Sequence, residues 1–265
     1  MAVVVNLLGV EVDMGNAGRT VAVVTGAGSG MGEATARHLC EQGWSVVAVD
    51  IVADGLTWTN GQRQIRAVVA DIATAEGNAA MVAAADEEFG GLDGAVLNAA
   101  VIRSGPIEEL PLEDLDRMYA VNLRGVVLGI RAVLPLLRRR GGGAISVTSS
   151  MGGVEGEPYN WAYGSTKAGV INVVQAVAME VGRDNIRVNA LCPGPIQNTA
   201  MSRPVAENAP DVYDGVRSLT ALKRWGEPHE VAKVHEFLIS PASSFVTGAT
   251  IVVDGGVTAG HTWLH

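Results

Sequence analysis

Short apolar, β-branched runs alternate along this chain with longer stretches whose apolar positions recur at helical spacing. Thr20–Val24, Ser45–Val49, Ile65–Ala70, Leu92–Leu97, Ala144–Ser149, Ile186–Leu191 and a last run near Thr250–Val253 read as strands. The first is apolar enough to be buried on both faces. Helices are expected over Glu33–Gln42, stopped by Gly43, and over about Thr74–Phe89, stopped by Gly90-Gly91. A longer one should open at Pro111 and run to about Arg139, and another should span Pro158–Val181, with helical segments near 199–222 and 228–239. Strands and helices alternating at this spacing predict an α/β fold. It should be one doubly wound domain with a parallel sheet of about seven strands, right-handed crossovers and helices on both faces. The domain would occupy 19–265, with a substrate-loop region at about 195–226. Residues 1–18 have no clear period and read as a leader or as an arm against a neighbouring subunit.

Ligands of such a sheet bind beyond the carboxyl ends of its strands, where Thr25, Asp50, Asp71, Asn98 and Ser150 all fall. One stretch at that end stands out, Thr25-Gly26-Ala27-Gly28-Ser29-Gly30-Met31-Gly32, which joins the first strand to the first helix. Glycines there let backbone approach a ligand closely, and the helix that follows offers unpaired N–H groups and a positive dipole end. This suits a pyrophosphate in a Rossmann-type βαβ unit, although glycine spacing alone also fits a merely tight turn. The second strand ends in Asp50, about where such a unit holds the adenosine ribose hydroxyls. Asp50 would repel a 2′-phosphate, and no Lys or Arg lies between it and Arg63, so NAD is expected over NADP. Taken by itself, Asp50 is also a reasonable turn or cap residue.

Composition narrows the class. The 265 residues are 48% hydrophobic with 33 glycines and few aromatics, which suits a tightly wound parallel sheet without linkers or repeats. A net charge of −9 argues against nucleic acid. The one basic run, Arg138-Arg139-Arg140, closes an apolar helix and reads as complementing its dipole. Cys40 and Cys192 stand in apolar settings and read as buried free thiols, with no metal-site spacing. No signal peptide is apparent and no stretch approaches a membrane span, so a cytoplasmic enzyme fits.

Candidate chemistry lies on the Pro158 helix. Tyr163 and Lys167 are four apart and share a face. A lysine ammonium near a phenol favours the phenolate and lowers its pKa toward a useful range. Ser150, at a neighbouring strand end, could bind the substrate oxygen. A Tyr and Lys at this spacing are also a common surface pair.

Thr25 to Gly32, Asn98-Ala99-Ala100, Asn122, Ser150, Tyr163-Gly-Ser-Thr-Lys167 and Asn189-Ala-Leu-Cys-Pro193-Gly194 together resemble the short-chain dehydrogenase/reductase family, in order, from about Thr20 to Gly256. The resemblance implies that Ser150, thirteen places before the tyrosine, orients the substrate rather than Ser149. It makes Tyr163 the general acid/base and Lys167 the residue that binds the nicotinamide ribose while lowering the tyrosine pKa. Asn122 would hold a water leading to Lys167; by itself it reads as a helix Asn bonded to backbone. Gly26, Ser29, Gly30 and Met31 would wrap the pyrophosphate, Asp71 and Ile72 would border the adenine, and Asn98 and Ala99 would line the nicotinamide side. Pro193, Gly194, Ile196 and Thr199 would pack on the nicotinamide, with the Ile196 backbone facing its carboxamide; Thr199 could also cap the next helix. One motif departs from the family pattern. Leu97-Asn98-Ala99-Ala100 stands where Asn-Asn-Ala-Gly is usual, adding a methyl near the cofactor.

By family analogy the substrate pocket would draw on Val101–Gly105, Met151–Trp161 and Gln197–Trp225. Their Met151, Val154, Tyr159, Trp161, Met201, Val205, Tyr213 and Trp225 suggest an apolar, perhaps alicyclic, secondary alcohol or ketone. The expectation is an NAD(H)-dependent oxidoreductase needing no metal, because Tyr163 and Ser150 polarise the oxygen. The alternatives are an NADPH-dependent 3-oxoacyl thioester reductase of the same family and a non-catalytic nucleotide-binding regulator. The apolar stripe of the Pro158 helix is wider than one sheet face needs, which implies a partner subunit, and the family resemblance implies a homotetramer or homodimer. The tail His261–His265 could pack on a neighbour.

Overall fold

The computed structural model describes residues 20–260, so the expectations for 1–18 and for His261–His265 lie outside the described residues. Strands β1 (Val21–Thr25), β2 (Ser45–Asp50), β3 (Ile65–Val69), β4 (Gly94–Leu97), β5 (Gly143–Thr148), β6 (Ile186–Pro193) and β7 (Thr250–Val253) form one parallel sheet in the order β3-β2-β1-β4-β5-β6-β7. The order reverses between β1 and β4. That switch point opens a crevice at the carboxyl ends.

Period-2 alternation divides the core into two layers. Val21, Val23, Val47, Val49, Ala95, Leu97, Ile145 and Val147 face one side, against α2 (Ala75–Phe89), α4 (Gly125–Arg140) and α5 (Trp161–Val181). Ala22, Val24, Val46, Ala48, Val96 and Ala144 face the other, against α1 (Gly30–Glu41) and α8 (Pro228–Ile239). Cover on both faces makes the inner strands largely apolar, whereas the edge strands β3 and β7 are only partly covered. Local signals set the ends. Thr74 accepts the Gly77 N–H at the start of α2, Gly90 ends it with a left-handed φ of 75°, and Glu227 and Glu230 form a capping box at α8.

Several boundaries differ from expectation. α1 starts at Gly30, inside the glycine-rich turn. The Pro111 helix is α3 (Leu112–Met118), a π-helical turn over Tyr119–Arg124, and then α4, with Asn122 in the π turn. Within the continuous run Leu112–Arg140 an 18-residue window has a mean hydropathy of 1.6, which makes the helix long and apolar enough to cross a membrane, contrary to the expectation of no such stretch. Its Val126, Ile130, Val133 and Leu137 are buried in the sheet layer, which makes it a core helix. α5 begins at Trp161, because Tyr159 takes a φ of 66° and the segment before it is a turn. The segment near 199–222 is two helices, α6 (Arg203–Asn208) and α7 (Pro210–Leu219), divided at Pro210. A 3-10 turn at Ala53–Thr59 was not anticipated.

Arg138, Arg139 and Arg140 do close α4, and each also pairs with a carboxylate, Asp184, Asp86 and Asp93 respectively. Cys40 and Cys192 are buried free thiols, and burial pushes Cys40 up to about 11.

Candidate active site

The glycine-rich turn is built for close contact. Gly26 has a φ of 70°, and a Cβ on it would meet Ala99 Cα and Asn98 Nδ2 at 3.0 Å. At Gly32 a Cβ would stand 1.9 Å from the Gly26 carbonyl oxygen. Ser29 precedes α1 without making a side-chain cap, so the first-turn N–H groups face the crevice with no side-chain partner. A helix start with a positive dipole end, beside a cradle that side chains would fill, fits a pyrophosphate.

The cavity at the switch point has a volume of about 430 Å³. Its walls include Gly26, Ser29, Gly30, Met31, Asp50, Asp71, Ile72, Asn98, Ala99, Tyr163, Lys167 and Thr199. Sequence reasoning had singled out all of these. Pro193, Gly194 and Ile196 do not reach the wall. Gly194 N–H donates to Val253 O, and Ile196 is bridged to Gly226 through the flanking Pro195 O and Gln197 N–H, which turns its own N–H and C=O to the opposite side. Thr199 touches the turn, since a Cβ on Gly30 would meet its Cα at 3.3 Å. It does not cap α6. That position is Ser202, and the two residues bond reciprocally, Thr199 N–H to Ser202 Oγ and Ser202 N–H to Thr199 Oγ1.

Asp50 takes the turn role weighed for it and also lies in the cavity wall. Its Oδ2 accepts the Gly28 N–H at 2.9 Å and its Oδ1 accepts the Val52 N–H at 3.0 Å, which ties β2 to the turn. A carboxylate has about four acceptor positions, so two backbone bonds leave capacity for hydroxyls at the cavity wall. The 3-10 turn braces the same corner, with Trp58 Nε1 donating to Ala27 O and Arg37 lying 4.3 Å over the Trp58 ring.

The two adjacent serines are separated by geometry. Ser149 Oγ donates to Lys167 O inside the protein, whereas the Ser150 hydroxyl accepts the Gly152 N–H and acts on the Tyr163 phenol by lowering its pKa. Lys167 is 1% exposed, donates from Nζ to Thr148 O at 2.8 Å, and lies 5.6 Å from the Tyr163 ring centroid. The expected lowering of the tyrosine pKa is not what the structure gives. Burial is the largest influence and pushes the phenol up to about 12; the Ser150 hydrogen bond opposes it, and Glu157 and Cys192 add to the rise. Burial likewise pushes Lys167 down to about 8, which leaves it an ammonium at pH 7. Because Glu157 holds the phenol higher, Glu157→Gln should lower the Tyr163 pKa. The alkaline rise of alcohol oxidation would then shift to lower pH in a kcat/KM profile, and an unmoved profile would contradict this placement.

Asn122 is fully buried. Its Oδ1 accepts the Val101 N–H, and its Nδ2 donates to Val101 O and Thr166 Oγ1. The backbone-bonded reading is therefore the one its side chain follows, and it ties the π turn to the loop after β4 and to α5 beside Lys167. Of the substrate-side candidates, Trp161 and Met201 pack on the buried cluster of Met118, Ala162 and Tyr163. Val154 and Tyr159 are exposed, and Tyr213 stacks on Trp225 at 4.3 Å, holding α7 to the loop before α8. Sequence reasoning missed Thr148, Ser146 and His235. Thr148 closes β5 at the ligand end of the sheet, and His235 stands in the apolar stripe of Val231 and Leu238, so both positions carried a visible signal.

A family model described as enoyl-(acyl carrier protein) reductase matches residues 26–258. The chain is 33% identical over 253 residues to levodione reductase of Leifsonia aquatica, covering 91% of this chain and 95% of that one. The chain belongs to the short-chain dehydrogenase/reductase family. As a member of that family it is an oxidoreductase acting on CH–OH groups with a nicotinamide cofactor. It is also 38% identical over 245 residues to cis-4-hydroxycyclohexanecarboxylate dehydrogenase of Sinomonas cyclohexanicum, covering 90% and 96% of the two chains. A crystal structure of levodione reductase superposes with a TM-score of 0.86 at 33% identity, covering 91% of this chain and 98% of that one. The structure of a 3-ketoacyl-(acyl-carrier-protein) reductase from Brucella melitensis complexed with NADH does so with 0.82 at 32%, covering 90% and 98%. The seven-stranded parallel sheet is thus the fold of this dehydrogenase family, and the switch-point crevice lies where its nicotinamide cofactor is expected.

Proposed function

We propose that this dehydrogenase interconverts an apolar, alicyclic secondary alcohol and its ketone with NAD(H), in the cytoplasm and as a homotetramer. The observation that carries the reading is buried Tyr163 beside buried Lys167, whose Nζ is anchored to Thr148 O, at the wall of a cavity that ends on the glycine-rich turn. The bound nicotinamide supplies the hydride exchange. The rest falls to the chain. Tyr163, neutral far above pH 7, carries at Oη the proton that a carbonyl oxygen needs on reduction, and takes it back on oxidation. Ser150 Oγ, fixed by the Gly152 N–H, hydrogen-bonds the same oxygen. Lys167 keeps a positive charge under the site, anchored to Thr148 O. Asn122 steadies the floor through Val101 and Thr166, and Asp71 and Ile72 supply the adenine side of the cavity.

The apolar cluster around Tyr163 supports an apolar substrate, and the names of the two relatives above, a levodione and a hydroxycyclohexane acid, support a ring. Asp50 at the wall supports NAD. Met179, Phe245 and Phe237, apolar and exposed, support burial against further copies. The test is a fluorescence titration with NADH and NADPH, then turnover of cyclic secondary alcohols and ketones. NADH should bind more tightly, and Asp50→Ala should shrink the preference roughly 10-fold or more, because the removed carboxylate no longer opposes a 2′-phosphate. A native preference for NADPH, or activity confined to acyl thioesters, would overturn the reading.

A further inference from the structure

α8 carries a histidine that the chemistry above does not use. His235 is fully buried, four residues after Val231 and three before Leu238, on the face that packs against the sheet. Opposite it, β5 presents Ser146 and Thr148 on the layer that Ala144 shares with α1 and α8, where neighbouring strands place valine and alanine. The imidazole bridges the two hydroxyls, Nδ1 to Ser146 Oγ at 2.8 Å and Nε2 to Thr148 Oγ1 at 3.2 Å. Burial pushes His235 down to about 3, so it is neutral in the working range, with one ring N–H and one acceptor nitrogen.

Donor and acceptor accounting then fixes a direction. Asn98 Nδ2 donates to Thr25 O at 3.1 Å, which turns its Oδ1 toward Thr148. Thr148 has one hydroxyl proton, and it goes to Asn98 Oδ1 at 3.1 Å. Thr148 Oγ1 must therefore accept from His235, so the ring carries its proton on Nε2 and Nδ1 accepts from Ser146. The result is a one-way chain from Ser146 through His235, Thr148 and Asn98 to the end of β1. Two of its members, Asn98 and Thr148, lie in the cavity wall, and Thr25 is followed by Gly26, which lies there too.

We propose that His235 is a positioning residue for the cofactor site, setting the Thr148 hydroxyl and through it the orientation of the Asn98 amide. This rests on the reading of the cavity as a nicotinamide dinucleotide site. A purely structural role is the rival, and the chain itself separates the two. Ser146 stands at its far end, away from the cavity, so breaking that link costs stability without turning Asn98. The other links act on the wall. Each neutral hydrogen bond is worth on the order of 1 kcal/mol net, which corresponds to about 3- to 10-fold in affinity.

The experiment measures NADH dissociation constants, thermal midpoints and the Asn98 side-chain amide signals in ¹H–¹⁵N spectra for His235→Leu, Thr148→Val, their double variant, Ser146→Ala and His235→Gln. His235→Leu and Thr148→Val should each weaken NADH about 3- to 10-fold and move the Asn98 signals, and the double variant should be no weaker than the worse single one, since both cut one chain. Ser146→Ala should melt earlier yet bind NADH as the native protein does. His235→Gln, whose amide N–H can still reach Thr148, should restore affinity. Native NADH affinity and unmoved Asn98 signals in both Thr148→Val and His235→Leu would overturn the proposal alone. Failure of the unsubstituted protein to bind NADH would remove the cofactor reading and this proposal with it.

Discussion

Tyr163→Phe should lower kcat by roughly 10²- to 10⁴-fold, the usual contribution of a positioned acid/base, while the NADH dissociation constant changes little. The substitution deletes one oxygen and keeps the ring, so packing against Met118 and Ala162 is retained. Ser150 keeps its bond from Gly152 N–H, so no buried polar group is stranded without any partner. What is lost is the hydroxyl proton that Tyr163 holds at the wall of the cavity. Steady-state kinetics beside a binding titration separate the two quantities. A parallel loss of binding and turnover would mean that the phenol holds the site together and does not move a proton.

Gly32→Ala should be the most damaging of the small substitutions. The added Cβ would stand 1.9 Å from Gly26 O and 2.8 Å from Asn98 Nδ2, and the first of these is backbone that cannot swing aside. Either α1 lifts from the end of β1 or the turn opens, and both disturb the cradle. Overpacking of this kind costs about 1–3 kcal/mol or more. The thermal midpoint should fall and NADH binding should weaken more than tenfold. Gly43→Ala is the comparison, because no atom lies within 4 Å of a Cβ there, though its φ of 87° carries a strain of its own. A Gly32→Ala protein with native stability and affinity would mean that the turn adapts freely.

Much of this architecture was legible because a parallel sheet covered on both faces writes itself as repeated β-branched runs. Val21 to Val24 and Val46 to Val49 are unambiguous, and their ends locate Thr25 and Asp50 on the crevice. What escaped depends on contacts between distant segments. Tyr159 adopts a left-handed φ, while its carbonyl accepts the Gly105 N–H, and no local signal announces that α5 must wait for Trp161. The Ala53–Thr59 turn exists because Leu56 is buried and Trp58 reaches Ala27, 31 residues away. The site was legible as a set of residue types, and the family resemblance, through its spacing to the tyrosine, distinguished Ser150 from Ser149. Its electrostatics were not. The spacing of Tyr163 and Lys167 suggested a depressed phenol, whereas their depth in the protein raises it, and depth is a property of the folded chain. The Ser146–His235–Thr148 bridge joins residues 87 and 89 apart, so no reading along the chain would have paired them.

The most direct test of the central claim is isotope transfer. The protein is incubated with a cyclic ketone and NADH deuterated at C4 on both faces, and the alcohol is analysed by mass spectrometry. Deuterium on the carbinol carbon, formed by the unsubstituted protein and lost with Tyr163→Phe, is the predicted result. Tight NADH binding with no label in any alcohol across the panel would contradict it, leaving a nucleotide-binding protein that does not catalyse hydride transfer.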